Sequence, residues 1–289
     1  MLDLDHLTSL RPPAVPLDRR ALVKASLTIG FCAAVSPVWA QVIQTPADGL
    51  TANEVRVPSG GLEIPAYRAM PNQGGPFPTV LVVHEAFGVH EYIKDVCRRW
   101  ARLGYYAIAT ELFARQGDAS AEPDTTKLMA NIVGKASDAQ VMGDLDATLA
   151  FAKASGSADV SRAAVTGYCW GGREVWLYAA HNPSLKAAVA WYGPLGRPTD
   201  ELHPKNPADI VADLKVPVLG QYGGKDTGIT PAQIEAMSQK LAGAGGASKI
   251  IVYPDAGHGF HADYRPSYDK ADAEASWRQA TAWLKDHGV

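Results

Sequence analysis

This sequence of 289 residues contains few cysteines, few long apolar runs and no excess of positive charge. Three cysteines are too few for a disulfide scaffold. The 27 Lys and Arg residues against 30 Asp and Glu residues leave a net charge of −3 with no basic stripe, which excludes nucleic acid and anionic lipid as expected partners. No apolar run beyond the N-terminus is long enough to cross a membrane. The hydrophobic content of 47% is typical of a globular protein.

The first forty residues have the pattern of an export signal. Two arginines, Arg19 and Arg20, precede an apolar stretch over residues 25–35, and small or aliphatic residues then lead to a cleavage site after Ala40. A membrane anchor or a buried helix is the alternative, but the stretch is well under the ~20 residues that span a bilayer. We predict a removed signal peptide over residues 1–40, of the twin-arginine type, and a periplasmic or secreted protein with no membrane contact after its removal.

Removal of that segment would leave two of the cysteines, Cys97 and Cys169. Because an exported protein meets an oxidising compartment, these two either form a disulfide or are thiols that the fold keeps apart. We expect Cys97 to be a small core residue on a helix that packs away from Cys169. A bridge between them is the redox alternative, in which Cys169 would be blocked.

Apolar, β-rich runs alternate with helical patterns along residues 41–289. Strands are expected at 54–57, 62–68, 79–84, 105–110, 163–168, 186–192, 216–222 and 249–253. Helices are expected at 141–153, 172–181, 231–241 and 269–287. One further helix ends at Gly104 and is expected to carry Val96, Trp100 and Leu103 on one face.

This alternation predicts an α/β protein with a mostly parallel sheet and helices on both faces. No linker or repeat divides residues 41–289, so a single domain is expected there. A closed barrel of eight βα units is the competing architecture. The first two strands disfavour it because they form a hairpin with a turn at Gly60 and Gly61, and the turn at Cys169 favours an α/β-hydrolase fold.

A strand runs directly into a Gly-Tyr-Cys-Trp-Gly turn over residues 167–171, and a helix follows at once. In α/β-hydrolases this G-x-S-x-G type of turn holds its central residue in strained backbone geometry at the head of a helix, where the N-terminal N–H groups stabilise an anion. A helix N-terminus also lowers the pKa of a thiol, which suits Cys169 as a nucleophile. The motif alone is weak, and a buried inert cysteine beside a glycine turn is the alternative.

An aspartate and a histidine follow in the chain order that this fold requires. Asp226 comes just after the strand at 216–222, where a carboxylate can orient an imidazole, although an ordinary surface turn would also use Gly and Asp. His258 lies between two glycines after the last strand. Rival candidates are His261, His84 and Asp255, and strand position favours His258 and Asp226.

The first buried strand ends in the sequence His-Glu-Ala-Phe-Gly at residues 84–88. In an α/β-hydrolase the loop at this point supplies one oxyanion N–H, and the residue after the nucleophile supplies the other. Ala86 and Trp170 are therefore the expected backbone donors. The carboxylate of Glu85 is costly at the mouth of a buried strand unless it is paired, and its structural alternative is an ion pair with an arginine.

Together these segments resemble the dienelactone hydrolase family, the carboxymethylenebutenolidase-like α/β-hydrolases. The similarity runs from Val80 to the final helix and is carried by the segments HEAFG at 84–88, LFARQ at 112–116, GYCWGG at 167–172, GGKD at 223–226 and AGHGF at 256–260. The resemblance implies a triad of Cys169, His258 and Asp226. It also implies that Glu85 accepts the thiol proton when substrate arrives.

The sequence departs from the family's founding members at the substrate carboxylate, which those members bind with two arginines. One of the two positions is Ala262 here, and the loop that holds the other, at 121–126, contains no arginine. Arg265 is the candidate replacement. The residues proposed to contact substrate are Phe87, Arg115, Phe260, Tyr264 and Arg265.

The predicted function is an exported hydrolase of small esters or lactones that works through a thioester on Cys169. No metal or organic cofactor is expected, because the histidines are scattered without a ligand spacing such as H-E-x-x-H. The expected partner is a small-molecule substrate, and the protein is expected to be a monomer or a small homo-oligomer. A thioesterase or peptidase with the same triad, and a binding protein with a silent pocket, are the alternatives.

Overall fold

The computed structural model describes residues 42–289, so the predicted signal peptide lies outside the described residues. The described strands are β1 (Leu50–Ser59), β2 (Leu62–Pro71), β3 (Phe77–Val83), β4 (Tyr106–Thr110), β5 (Ala158–Tyr168), β6 (Ala187–Trp191), β7 (Val218–Gly223) and β8 (Lys249–Tyr253). The longer helices are α1 (Glu91–Arg102), α2 (Asp138–Ala154), α3 (Trp170–His181), α4 (Pro231–Ala244) and α5 (Lys270–Asp286). Short helical turns occupy Thr125–Lys127, Leu128–Ile132, Val133–Lys135, Pro207–Asp209 and Val211–Asp213.

The eight strands form one sheet in the order β1-β2-β4-β3-β5-β6-β7-β8. The β1–β2 and β2–β4 pairs are antiparallel, and every other neighbouring pair is parallel. The connections from β3 to β4 and from β5 to β6 step in opposite directions along the sheet. Because such crossovers are right-handed, α1 and α3 cover opposite faces. The predicted mostly parallel sheet between helices is therefore confirmed.

The opening hairpin follows the prediction, with longer strands. Ser59 pairs with Leu62, and Gly60 and Gly61 between them have φ values of 56° and 80°. Positive φ at both central residues is the geometry of a tight hairpin turn that matches the twist of the strands, and glycine adopts it without strain.

The predicted buried face of α1 is wrong at its last residue, Leu103. Val96 and Trp100 are fully buried on α1, but the side chain of Leu103 is 51% exposed. The helix ends at Arg102, so Leu103 lies beyond its last turn and no longer points towards the sheet.

The central parallel strands position the candidate site. Every residue of β4, β6 and β7 is buried, as expected of strands that are covered on both faces. Ligands of open α/β sheets bind outside the carboxyl ends of such strands. The loops at that edge carry the residues singled out above, namely Glu85 after β3, Cys169 after β5, Asp226 after β7 and His258 after β8.

Candidate active site

The connection from β5 to α3 consists of a single residue, Cys169. Its φ of 53° and ψ of −118° lie in a region that residues with a side chain rarely adopt. Its N–H donates to the carbonyl oxygen of Trp191 at 3.0 Å, which ties the turn to the neighbouring strand. The thiol is therefore held at the N-terminus of α3 by an over-determined, strained backbone, an arrangement that clusters at functional sites.

The glycines around Cys169 are required by close backbone contacts. A β-carbon on Gly167 would come within 2.5 Å of the Gly171 carbonyl oxygen. A β-carbon on Gly171 would come within 2.4 Å of the His84 carbonyl oxygen at the end of β3. Larger residues would push the helix away from the sheet, which explains the Gly-x-Cys-x-Gly pattern physically.

His258 is hydrogen-bonded to Asp226 inside the protein. Nδ1 of His258 lies 2.7 Å from Oδ2 of Asp226, and both side chains are buried. The other oxygen, Oδ1, accepts the backbone N–H groups of Gly228 at 2.8 Å and Ile229 at 3.0 Å. The carboxylate is thereby fixed in place and in turn fixes the orientation of the imidazole.

The His258 imidazole also lies close enough to Cys169 for the sulfur to shift its pKa. Burial alone would lower the pKa of His258. The negative charges of Cys169 and Asp226, with hydrogen bonds to both, outweigh burial and raise the pKa of His258 to about 9. At neutral pH the His258 imidazole is therefore protonated.

The rival candidates His84 and Asp255 make other contacts and do not take part in the His258–Asp226 pair. His84 contacts the carbonyl of Glu85 through Nδ1 at 2.6 Å and accepts the N–H of Leu112 through Nε2 at 3.0 Å. Both of its nitrogens thus serve the backbone. Asp255 is exposed and pairs with Lys225 at 2.7 Å.

Glu85 is fully buried in a cage of three side chains. Its Oε1 lies 2.5 Å from Nη2 of Arg265, and its Oε2 accepts the hydroxyl of Tyr264 at 2.6 Å and lies 3.3 Å from Nε2 of His90. Burial opposes ionisation, but the charge of Arg265 and the contacts with His90 and Tyr264 lower the pKa of Glu85 to about 2. The carboxylate is therefore ionised at neutral pH, and the anticipated pairing with an arginine is present.

Arg265 connects this cage with the thiol. Burial works against its positive charge, but Glu85, and more weakly other groups that include Cys169, raise its pKa. Its Nη1 is buried and has no hydrogen-bond partner among residues 42–289. The Arg265 guanidinium therefore interacts electrostatically with both Glu85 and Cys169.

The remaining predicted site residues divide into two groups. Phe87, Phe260 and Tyr264 lie with the cluster: Phe87 packs near His90, Phe260 packs on Tyr192, and Tyr264 binds Glu85. Arg115 does not. Its guanidinium binds Asp144 Oδ2 at 2.5 Å and the carbonyl of Ser59 at 3.0 Å, so the structure places it against the β1–β2 turn.

The two proposed oxyanion donors are Ala86, in the loop after β3, and Trp170, at the start of α3. Trp170 is the first residue of α3, so its N–H has no acceptor within the helix. Ala86 is buried in the loop after β3, whose end is in contact with the Gly171 backbone. Both cysteines of the described chain, Cys97 and Cys169, are free thiols, and burial raises the pKa of Cys97.

Two neighbours of the cluster were missed from the sequence. Tyr192 has a φ of 39°, and its ring centroid lies 5.0 Å from that of His258. His90 precedes the first residue of α1 and contacts Glu85. The sequence position of Tyr192 could have identified it. Tyr192 directly follows β6, the strand beside β5, at the sheet edge that carries the other site residues.

The described residues contain no cluster of three His, Cys, Asp or Glu side chains that could hold a metal ion. Within the same residues, no helix has the length and apolar character needed to cross a membrane.

Comparisons with known proteins identify relatives that match this chain over most of its length. The model of the dienelactone hydrolase family matches residues 64–288. A Methylorubrum extorquens protein named "Putative carboxymethylenebutenolidase" is 56% identical over 274 residues, which cover 94% of this chain and 94% of that protein. An Escherichia coli K12 protein of the same name is 50% identical over 260 residues, which cover 90% of this chain and 96% of that protein.

A solved structure extends the likeness to three dimensions. A crystal structure from Klebsiella pneumoniae, named "Putative Dienelactone Hydrolase", is 49% identical with a TM-score of 0.80, and the match covers 82% of this chain and 98% of that one. The predicted α/β-hydrolase fold is confirmed.

Proposed function

Because this chain belongs to the dienelactone hydrolase family, a family of hydrolases acting on lactones and esters, we propose that its nucleophile is Cys169 and that it forms a thioester with its substrate. The observation that carries the proposal is one continuous line of groups. A strained cysteine at a helix N-terminus faces an imidazole, and that imidazole is bound to a buried aspartate at 2.7 Å. This arrangement of nucleophile, base and orienting acid is the pattern of acyl-transfer enzymes.

In the first half-reaction, Sγ of Cys169 attacks the carbonyl carbon of an ester or lactone. The new C–S bond forms while the carbonyl electron pair moves onto oxygen, where the N–H groups of Ala86 and Trp170 stabilise it. Each such donor contributes about 3–4 kcal/mol in comparable sites. The C–O bond then breaks, His258 gives its proton to the departing alkoxide, and a thioester remains on Cys169.

In the second half-reaction, water replaces the alcohol. His258 is now neutral and takes a proton from the water as it attacks the thioester carbonyl. The C–S bond breaks and the acid product leaves; His258 keeps the proton taken from water, and Glu85 returns the thiol proton to sulfur. Asp226 keeps the imidazole in one tautomer throughout, because its Oδ2 binds Nδ1.

Glu85 is proposed as the group that first accepts the thiol proton, as the resemblance implies. Its pKa of about 2 in the cage makes it a weak base while it is bound to Arg265. If Glu85 separated from Arg265, the pKa of Glu85 would rise to the ordinary value of 4.5 or above, because the site is buried. Arg265 is then left to neutralise the anionic sulfur.

The charge around the thiol supports uncharged substrates. Ala262, at one position where the founding members carry an arginine, is buried and apolar. Glu85 already neutralises Arg265. Phe87, Phe260 and Tyr264 offer an apolar wall nearby. We therefore propose small neutral esters or lactones as substrates.

Replacement of Cys169 tests the proposal. Cys169→Ala should lower kcat/KM for p-nitrophenyl acetate by at least about 10³-fold, since the nucleophile is lost. Cys97→Ala is the matched control, a second buried cysteine, and should keep activity within about 5-fold. Comparable activity in wild type and Cys169→Ala would refute the assignment.

The same esterase assay, applied to cell fractions, tests whether the protein is exported. The apolar stretch over 25–35 after Arg19 and Arg20 supports a periplasmic or secreted enzyme. Activity should appear in the periplasmic or culture fraction, on a protein that starts at Gln41. Activity confined to the cytosol on the full-length chain would contradict export while leaving the chemistry untouched.

A further inference from the structure

Tyr192, the residue that follows β6, has no part in the mechanism above, yet its backbone is strained. Its φ of 39° lies in a region that residues with a bulky side chain rarely adopt. Among residues 42–289, Cys169 is the only other residue that combines a side chain with a positive φ. Backbone strain of this kind clusters at functional sites, so the strain at Tyr192 indicates a function.

The neighbouring backbone holds Tyr192 in this conformation. Its N–H donates to the carbonyl oxygen of Gln221 at 2.8 Å, on the adjacent strand β7. The next residue, Gly193, packs so closely on α3 that a β-carbon there would overlap the backbone of the first turn of that helix. The contacts on both sides of Tyr192 therefore fix its geometry relative to Cys169, which directly precedes α3.

The side chain of Tyr192 is fully buried beside the candidate catalytic residues. Its ring centroid lies 5.0 Å from that of His258 and 5.6 Å from that of Phe260, with the rings edge to face in both pairs. Burial and the negative charge of Glu85 raise the pKa of Tyr192 well above its ordinary value, and the positive charge of Arg265 opposes them. The hydroxyl therefore lies near the Glu85–Arg265 pair and keeps its proton at neutral pH.

The hydroxyl of Tyr192 is an unused hydrogen-bond donor. Its oxygen is buried and has no hydrogen-bond partner among residues 42–289. By contrast, the hydroxyl of Tyr222 on β7 accepts Nε1 of Trp176 at 3.1 Å and donates to the carbonyl oxygen of Gly193 at 3.0 Å. Because a buried hydroxyl without a partner destabilises a fold, the hydroxyl of Tyr192 is better explained by a partner that arrives with the substrate.

The two oxygens of a reacting ester differ in how many donors they already have. In the mechanism above, the N–H groups of Ala86 and Trp170 serve the carbonyl oxygen, whereas only His258 serves the alkoxy oxygen. We propose that the hydroxyl of Tyr192 donates a hydrogen bond to the alkoxy oxygen as the C–O bond breaks, which stabilises negative charge on the leaving group. The hydroxyl keeps its own proton, and His258 supplies the proton that leaves with the alcohol.

This inference rests on the proposed function and narrows its substrate class. It makes Tyr192 a catalytic residue for alkyl esters and lactones, whose alkoxides are poor leaving groups. Esters with a good leaving group need no such hydrogen bond.

Two substrates with the same acyl group test the role of Tyr192. p-Nitrophenyl acetate releases a good leaving group and ethyl acetate releases a poor one, and both pass through the same acetyl-enzyme. Tyr192→Phe should lower kcat/KM by at least about 10-fold for ethyl acetate and by less than about 3-fold for p-nitrophenyl acetate. Tyr106→Phe is the matched control and should leave both values within about 2-fold. It also removes a buried hydroxyl without a hydrogen-bond partner among residues 42–289, but at the start of β4, at the opposite edge of the sheet.

Thermal unfolding separates a catalytic role of Tyr192 from a structural one. Tyr192→Phe should not lower the melting temperature, because the hydroxyl has no hydrogen-bond partner among the described residues. Tyr222→Phe removes a hydroxyl that is hydrogen-bonded on both sides and should lower the melting temperature by about 2–4 °C.

Three results would overturn the inference: equal effects of Tyr192→Phe on the two esters, a lower melting temperature in that variant, or a wild type that does not hydrolyse ethyl acetate. Cys169→Ala, assayed in parallel, separates this inference from the proposed function. If Cys169→Ala is inactive while Tyr192→Phe matches the wild type on both esters, only the role of Tyr192 is wrong. If Cys169→Ala keeps its activity, the proposed function is wrong as well.

Discussion

His258 and His261 are three residues apart in one loop, and both are almost completely buried, at 4% and 2% exposure. Their protonation is nevertheless opposite. The pKa of His258 is raised to about 9, whereas that of His261 is lowered well below its ordinary value. Burial, which both share, cannot explain the difference.

The groups that face each ring explain it. His258 lies beside the carboxylate of Asp226 and the sulfur of Cys169, and both groups raise its pKa. His261 meets a neutral hydroxyl from Tyr92, stacks on the ring of Tyr168, and feels the positive charge of Arg99. Desolvation always penalises the imidazolium, and a neighbouring anion decides whether that penalty is overcome.

The largest effect should separate the two histidines by activity. His258→Gln should lower kcat/KM for p-nitrophenyl acetate by about 10³-fold, because it removes the acid and base of both half-reactions. His261→Gln is the matched control and should stay within about 10-fold of wild type, since its ring contacts Tyr92 and Tyr168 and not Asp226. Equal losses of kcat/KM in the two variants would contradict the different roles assigned to His258 and His261.

A smaller effect should appear in the titration of each ring. In ¹H–¹³C NMR spectra of the folded protein, the His258 ring should titrate near pH 9, while the His261 ring should stay neutral through pH 6.5. Cys169→Ala should lower the midpoint of His258, because the sulfur is the strongest of the charges that raise it. A midpoint that does not move would show that Asp226 alone is responsible.

The smallest effect concerns stability against acid. The folded pKa of His261 lies below the 6.5 of an unfolded chain, so its contribution to the unfolding free energy is present above pH 6.5 and is lost as the pH falls. His258 has the opposite sign: its contribution is present below pH 6.5 and is lost as the pH rises through about 9.

Urea unfolding of the wild type between pH 6.5 and about pH 5 should show an added loss of up to about 1 kcal/mol per pH unit that His261→Phe removes. An identical slope in wild type and His261→Phe would mean that the unfolded chain does not take up the extra proton.

The sequence was most informative where structure is local. Gly167 and Gly171 predicted the turn at Cys169 because backbone contacts exclude a β-carbon at both positions. Asp226 and His258 could be placed because each directly follows a strand, and parallel strands bring their carboxyl ends to one edge.

Local sequence patterns could not predict contacts between segments that are far apart in the chain. Arg265 reaches Glu85 across 180 positions of the chain, and Arg115 reaches Asp144 across 29. Either arginine had suitable chemistry for a substrate, and nothing near it in the chain says which carboxylate it meets. Leu103 was misplaced for a related reason, since its exposure depends on where α1 ends against the sheet.

By itself, the sequence determined the alternation of strands and helices, the tight turn that holds Cys169, and the order in which Asp226 and His258 follow it. Each of these depends on local steric limits and on the periodicity of apolar residues. Only the tertiary structure decided that His258 lies beside Asp226 and Cys169 while His261 meets Tyr92 and Arg99, and that Arg265 neutralises Glu85. The charge on a buried group depends on what surrounds it in space, and folding alone brings those neighbours together.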